Sequence, residues 1–277
     1  MAGLLSALAG CSGQGLVNAL TPSAGYRLHT GLAYGDAARQ RLDVYAPRAA
    51  AGEAPVVVFF YGGRWSQGER AGYRFVGQYL AAQGAVAVIP DYRLHPAVGF
   101  PAFVHDGAAA VAWARHHAAD YGADPSRLFV MGHSAGAHIA AMLATDARYL
   151  AAEGGDRDWL AGMIGLAGPY DFLPLTDADL KTIFGPETAW PRSQPVNFVD
   201  GGEPPMLLLH GAADATVHAE DSEILAARVE AAGGRARLRL YEGIGHIRIL
   251  AVLAAPLRWL APSTATDVAR FLKGGGH

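Results

Sequence analysis

A single cysteine, Cys11, stands in 277 residues, so no disulfide can form within the chain. Neither sign of charge dominates. Against 25 Asp and Glu there are 22 Lys and Arg, a formal net charge of −3, with no basic run. That balance excludes the electrostatic footprint of a nucleic-acid-binding protein, and no nucleic-acid partner is expected. Beyond the N-terminus no stretch is long and apolar enough to span a bilayer. There is no internal repeat. His95, His105, His116 and His117 have no acidic partners at metal-ligand spacing, so no metal and no cofactor is expected.

What is present is apolar bulk. Hydrophobic residues make up 51% of the chain and charged residues 17%, enough for one large core. Residues 25–277 are expected to form a single α/β domain. Residues 1–24 read separately. Leu4-Leu5-Ser6-Ala7-Leu8-Ala9-Gly10-Cys11 resembles the cleavage and lipidation box of bacterial lipoproteins, although no Lys or Arg precedes it. On that reading Cys11 is acylated and holds the protein at the cell envelope, Ser12 to Gly15 being a tether. The other reading is an incidental cysteine in a cytoplasmic protein.

The segments Tyr26–Tyr34 and Arg41–Ala46, around Gly35-Asp36, predict an antiparallel hairpin at a sheet edge. Val56–Tyr61, Ala85–Ile89, Leu128–Met131, Met163–Ala167 and Met206–His210 are continuous apolar runs, the pattern of strands buried on both faces. Arg235–Tyr241 alternates, as an edge strand does. Helices are predicted over Gly72–Gln83, from Val104 towards Tyr121, over Asp221–Ala232 and over Thr264–Lys273, the last with Thr264 and Asp267 as a capping box. Strands and helices alternate after the hairpin, so the fold class is α/β: a mostly parallel, doubly covered sheet with an antiparallel N-terminal edge. Residues 171–205 are irregular and rich in Pro, Asp and aromatics, as a lid or binding loop is.

In such sheets reactive groups collect at the carboxyl ends of strands. Gly132-His133-Ser134-Ala135-Gly136 lies between an apolar run and a small-residue helix, so Ser134 is expected on a sharp strand-to-helix turn. Other strand ends carry Gly62-Gly63-Arg64-Trp65, Gly211-Ala212-Ala213-Asp214 and Glu242-Gly243-Ile244-Gly245-His246. A serine needs a base to attack at neutral pH, and His246 is the candidate. Asp214 is the candidate to orient the imidazole and stabilise its cation. The amides of Gly63, Arg64 and Ala135 are candidates for an oxyanion hole.

With Pro90-Asp91-Tyr92-Arg93-Leu94 and Leu209-His210-Gly211-Ala212-Ala213-Asp214, these motifs over roughly Arg41 to Leu272 resemble the α/β-hydrolases. The likeness is to the group holding hormone-sensitive-lipase-like, kynurenine-formamidase-like and feruloyl- or acetylxylan-esterase-like bacterial enzymes. The resemblance implies a serine carboxylesterase with Ser134, Asp214 and His246 as its triad, acting on small-molecule esters of small to medium acyl groups. The alternatives are an arylformamidase or amidase, or a binding protein of this fold without turnover. Tyr61 stands where the family usually has the histidine that braces the oxyanion loop, and its hydroxyl is expected to brace the loop instead.

Tyr61, Trp65, His133 and Ile247 are candidate pocket walls. His138 and His210 are expected to be structural, and Asp106 and Asp171 to tie loops to backbone amides. Asp91 competes with Asp214 for the acid role, but it precedes Ser134 in the chain. The apolar run Ile247–Leu260 is expected either as a helix packed into the core or as a hydrophobic rim that includes Leu250 and Leu253. Oligomeric state is not legible.

Overall fold

The computed structural model describes residues 13–49, 52–260 and 262–274. Cys11 and its apolar leader lie outside them. The elements in chain order are α1 (Gly13–Ala19), β1 (Tyr26–Ala33), β2 (Arg41–Pro47), β3 (Ala54–Phe60), α2 (Arg74–Ala82), β4 (Val86–Pro90), α3 (Ala102–His117), β5 (Ala123–His133), α4 (Ala135–Thr145), α5 (Ala147–Ala151), β6 (Leu160–Leu166), α6 (Ala178–Phe184), β7 (Met206–Gly211), α7 (Glu220–Ala231), β8 (Ala236–Tyr241), α8 (Arg248–Ala251) and α9 (Pro262–Leu272).

The eight strands form one sheet in the order β1-β2-β4-β3-β5-β6-β7-β8. From β4 to β8 every pairing is parallel, and β2 is antiparallel to both its neighbours. The hairpin thus lies at one edge and the alternating strand β8 at the other.

Alternate residues of β5 reach opposite helix layers, as period-2 geometry requires. Phe129 meets Phe271 of α9 with ring centroids 5.9 Å apart. Gly132 faces α4 so closely that a Cβ there would lie 2.2 Å from the Gly136 carbonyl oxygen. α2 joins the α9 layer, since the Tyr79 hydroxyl donates to the Ala265 carbonyl. α3 packs on α4, where a Cβ at Gly107 would meet Ile139 at 2.8 Å. Val56 to Phe60 between these layers are fully buried, which explains their unbroken apolar run.

Residues 171–205 contain α6 and two 3₁₀ segments, Glu187–Ser193 and Pro195–Phe198. Leu175, Ile183, Phe184, Trp190 and Val196 are buried, so the stretch packs onto the core. The last helix begins at Pro262, two residues ahead of the expected cap. Asp267 accepts a hydrogen bond from the Tyr241 hydroxyl at 2.7 Å instead of closing a capping box. The apolar run after His246 divides: Ile249, Val252 and Leu253 are fully buried and Leu250 nearly so, whereas Ile247 is 69% and Trp259 76% exposed. The expected rim at Leu250 and Leu253 is therefore core, and surface apolarity falls on Ile247 and Trp259.

Candidate active site

Ser134 sits between β5 and α4 with φ 55° and ψ −125°, a strained conformation for a residue with a side chain. Its amide donates to the Leu166 carbonyl at 2.9 Å, tying the turn to β6. Small neighbours are obligatory. A Cβ at Gly136 would lie 2.0 Å from the Phe60 carbonyl oxygen, and one at Gly62 would touch the Ser134 Cβ at 3.0 Å.

Asp214 and His246 arrive from adjoining loops after β7 and β8. The loops are stitched by Ala213 N–H to the Ile244 carbonyl at 3.0 Å, and a Cβ at Gly211 would lie 2.1 Å from that same carbonyl oxygen. The three side chains form one hydrogen-bonded line. His246 Nδ1 is 2.7 Å from Asp214 Oδ2, and His246 Nε2 is 2.9 Å from Ser134 Oγ. A carboxylate only accepts, so Nδ1 carries the hydrogen and Nε2 is left to accept from the serine hydroxyl. Asp214 Oδ1 is occupied by the amides of Thr216 (2.8 Å) and Val217 (3.0 Å). Burial opposes ionisation of Asp214, but the Val217 and Thr216 amides and His246 outweigh it, and its carboxyl is held below the usual carboxylate range.

The loop after β3 places Gly63, Arg64 and Trp65 at φ 131°, 52° and 57°. The Gly63 carbonyl accepts from Ser66 and Gln67, each at 3.0 Å, and a Cβ at Gly63 would collide with the Gln67 carbonyl oxygen at 2.1 Å. Among the described residues the amides of Gly63, Arg64 and Ala135 have no protein acceptor. Trp65 anchors the loop in an aromatic nest of Phe103, Phe172, Phe184 and His138.

Tyr61 is a correction to the expected pocket walls. It is fully buried, stacked between Tyr73 (5.0 Å) and Tyr92 (4.9 Å). Its hydroxyl donates to Asp91 Oδ1 at 2.7 Å and accepts from Arg39 Nη2 at 2.8 Å. Arg39 also holds the Gly68 carbonyl, and Asp91 accepts the Arg70 amide at 2.7 Å and pairs with the Arg70 guanidinium. Tyr61 therefore acts on residues 68–70 from below and is not among the residues that line the cavities at Ser134. Asp91 belongs to this brace, with Arg70 shared by Asp43 at 2.8 Å.

The other histidines are fixed by packing. His133 Nε2 donates to the His246 carbonyl at 2.8 Å, supporting that loop from beneath. Burial, aided by the neighbouring His246, pushes the His133 pKa down to about 3. His138 Nε2 donates to the Ser193 carbonyl at 2.7 Å, and burial lowers its pKa to about 4. Both rings are neutral near pH 7. His210 bridges Ser222 Oγ at 2.7 Å and the Val217 carbonyl at 3.0 Å. Asp106 takes the Arg93 amide at 2.7 Å, as expected. The loop expected to hang on Asp171 hangs on Asp221 instead, whose Oδ1 accepts the amides of Tyr170 (2.8 Å) and Asp171 (2.7 Å). Asp221 had no local signal, because its partners lie 51 and 50 residues away in the chain.

Two cavities meet at Ser134. One, of about 650 Å³, is lined by Arg39, Gly63, Glu69, Tyr73, His133, His246 and Ile247. The other, of about 630 Å³, is lined by Trp65, Phe172, Leu173, Leu180, Val217 and Ile224, with Asp171, Glu220 and Asp221 at its polar side. Arg64 borders both, and its guanidinium reaches Asp177 Oδ2 at 3.0 Å. Trp65, His133 and Ile247 thus line cavities, while the remaining wall residues lie far apart in the chain.

A family model, BD-FAE, matches residues 42–229, more than half of the chain. The chain belongs to the BD-FAE family. The BD-FAE match runs from β2 to α7 and takes in Ser134 and Asp214, with His246 beyond its end. A probable isoprenylcysteine alpha-carbonyl methylesterase of Arabidopsis thaliana is 32% identical over 251 residues, 82% of this chain and 52% of the relative. The esterase LipC of Mycobacterium tuberculosis is 31% identical over 236 residues, 77% of this chain and 58% of that one. The chain spans about half the length of the curated relatives it matches. Among solved structures, esterase 2 of Thermogutta terrifontis, phosphoramylated by tabun, superposes with a TM-score of 0.74 at 27% identity, covering 91% of this chain and 95% of that one. The sheet and its flanking helices are those of the α/β-hydrolase superfamily.

Proposed function

We propose that this protein is a serine hydrolase that cleaves carboxylic esters through an acyl-enzyme. The observation that carries this reading is the hydrogen-bonded line from Ser134 Oγ through His246 to Asp214. As Ser134 Oγ attacks the ester carbonyl, its proton passes to His246 Nε2, and Asp214 stabilises the imidazolium from the far side. The carbonyl oxygen gathers negative charge where the amides of Gly63, Arg64 and Ala135 are free to donate. His246 then protonates the leaving alkoxide, the C–O bond breaks, and the alcohol departs. Water enters, His246 takes its proton as the oxygen attacks the acyl carbon, and the second tetrahedral intermediate collapses to free acid as His246 returns that proton to Ser134 Oγ.

The substrate's two halves divide between the cavities. His246 borders the cavity of Tyr73 and Ile247 but not the other. The leaving oxygen must lie within reach of Nε2, so the alcohol occupies that side. The acyl group then fills the cavity walled by Trp65, Phe172, Leu173, Leu180 and Ile224, whose size suits small to medium acyl groups. The relatives are named as esterases and a methylesterase, which favours an ester over an N-formyl amide as the scissile group.

A chromogenic ester series run beside an N-formyl anilide tests the assignment. Turnover of esters that disappears in Ser134→Ala is the expected result. Preference for the anilide would make the protein an amidase, and turnover surviving in Ser134→Ala would remove Ser134 as nucleophile.

Acylation of Cys11 is a second, separate proposal, supported by the Leu8-Ala9-Gly10-Cys11 sequence and by the exposed Leu16 of α1 and Leu20 just after it. Mass spectrometry of membrane-extracted protein should find an acylated Cys11, and Cys11→Ser should release the protein from membranes. Unmodified Cys11 in a freely soluble protein would overturn it.

A further inference from the structure

A third cavity adjoins the alcohol side of the site. It measures about 400 Å³ and is bounded by Gly13 and Val17 of α1, Tyr73, Phe75, His133, Ile247, and Leu250 and Ala251 of α8. Tyr73, His133 and Ile247 also line the cavity that contains Ser134 and His246. The two spaces therefore share three walls, and a chain leaving His246 can pass over His133 and Ile247 to the gap between α1 and α8.

The walls say what that chain is. Among the described residues no carboxylate, Lys or Arg borders this cavity. Its one imidazole among the described residues, His133, holds its hydrogen on Nε2 for the His246 carbonyl and stays neutral to well below pH 7. A charged or strongly polar tail would be desolvated there without a partner. An alkyl tail gains the transfer free energy of each buried methylene. Ile247, 69% exposed in the free protein, stands at the junction where such a tail would cover it.

We propose that the cavity between α1 and α8 is a binding site for the apolar tail of the leaving alcohol, so the preferred substrates are esters of long, unbranched or sparsely branched aliphatic alcohols. This rests on the ester-hydrolase reading above and extends it to the alcohol half of the substrate. The acyl preference is set separately, by Trp65, Phe172 and Leu180 on the other side of Ser134.

The test is kcat/KM along ethyl, hexyl and decyl acetate, with ethyl butyrate and ethyl hexanoate as an acyl series. In the native protein kcat/KM should rise from ethyl to decyl acetate, through a falling KM, by up to about fourfold per methylene while the tail is being buried. Ala251→Trp and Val17→Trp fill the cavity from opposite walls. Each should cut the decyl-to-ethyl ratio by about tenfold or more and leave the hexanoate-to-butyrate ratio as it was. Should Ala251→Trp fail to fold, Val17→Trp carries the comparison. A flat alcohol series in a protein that turns over acetates, or a rising series untouched by Val17→Trp, overturns the tail site and leaves the ester reading standing. No turnover of any ester overturns both.

Discussion

At the scale of single residues, the site separates groups that meet the reacting atoms from groups that hold them. Ser134, His246 and Asp214 form the first set, and removing either end of the line is expected to have large kinetic consequences. Ser134→Ala should lower ester turnover by about 10³–10⁶-fold. Asp214→Asn keeps the shape but presents an amide to His246 Nδ1, which disturbs the tautomer, so kcat should fall by about 10²–10⁴-fold. Pre-steady-state and steady-state assays on one chromogenic ester would check both, with circular dichroism showing that each variant is folded. Near-normal rates in Asp214→Asn would move the acid role elsewhere.

At the scale of elements, the turn between β5 and α4 and the brace beneath the Gly62–Tyr73 loop can be broken without touching a reacting atom. Gly136→Ala drives a methyl into the Phe60 carbonyl, a backbone atom that cannot swing aside. It should cost at least ~2 kcal/mol in urea denaturation and lower activity as the turn opens. Asp91→Ala leaves the half-buried guanidinium groups of Arg70 and Arg39 and the buried Tyr61 hydroxyl without their shared acceptor. A loss of about 3 kcal/mol is expected. The two aspartates then differ in kind: Asp91→Ala is mainly a stability variant, and Asp214→Asn mainly a rate variant. An Asp91→Ala protein of native stability would show that the brace does not hold the loop.

At the scale of the whole molecule, the buried neutral histidines give folding a pH dependence. The unfolded chain binds a proton on each histidine near the ordinary value of about 6.5, whereas folded His133 and His138 resist until about pH 3 and about pH 4. Below about pH 6.5 the unfolded state therefore binds more protons, and stability falls as the pH drops towards 4. Each histidine should contribute on the order of 1–3 kcal/mol to that loss. Asp221, whose carboxyl burial raises, acts with the opposite sign at the acid end. Denaturation midpoints at about pH 7.5 and about pH 5 should accordingly differ less in His138→Asn than in the native protein. Equal differences would mean that His138 is already protonated in the fold.

The chain's own order carried a great deal. Apolar, β-branched runs such as Val56–Phe60 read as strands covered on both faces, and the glycines around Ser134 announce a turn too tight for larger residues, so fold class and the Ser134, Asp214 and His246 candidates were legible. Such signals are local, set by backbone sterics and side-chain period within a few positions. Tertiary packing alone decided the rest. Tyr61, expected both as a brace and as a pocket wall, is only a brace, because Asp91, Arg39, Tyr73 and Tyr92 converge on it and bury it. Asp221 rather than Asp171 holds the loop after β6, and the run after His246 splits into buried Ile249, Leu250, Val252, Leu253 and Ala254 and exposed Ile247 and Trp259. Cavity walls are drawn from residues scattered from α1 to α8, and no local pattern encodes which distant side chains close a space.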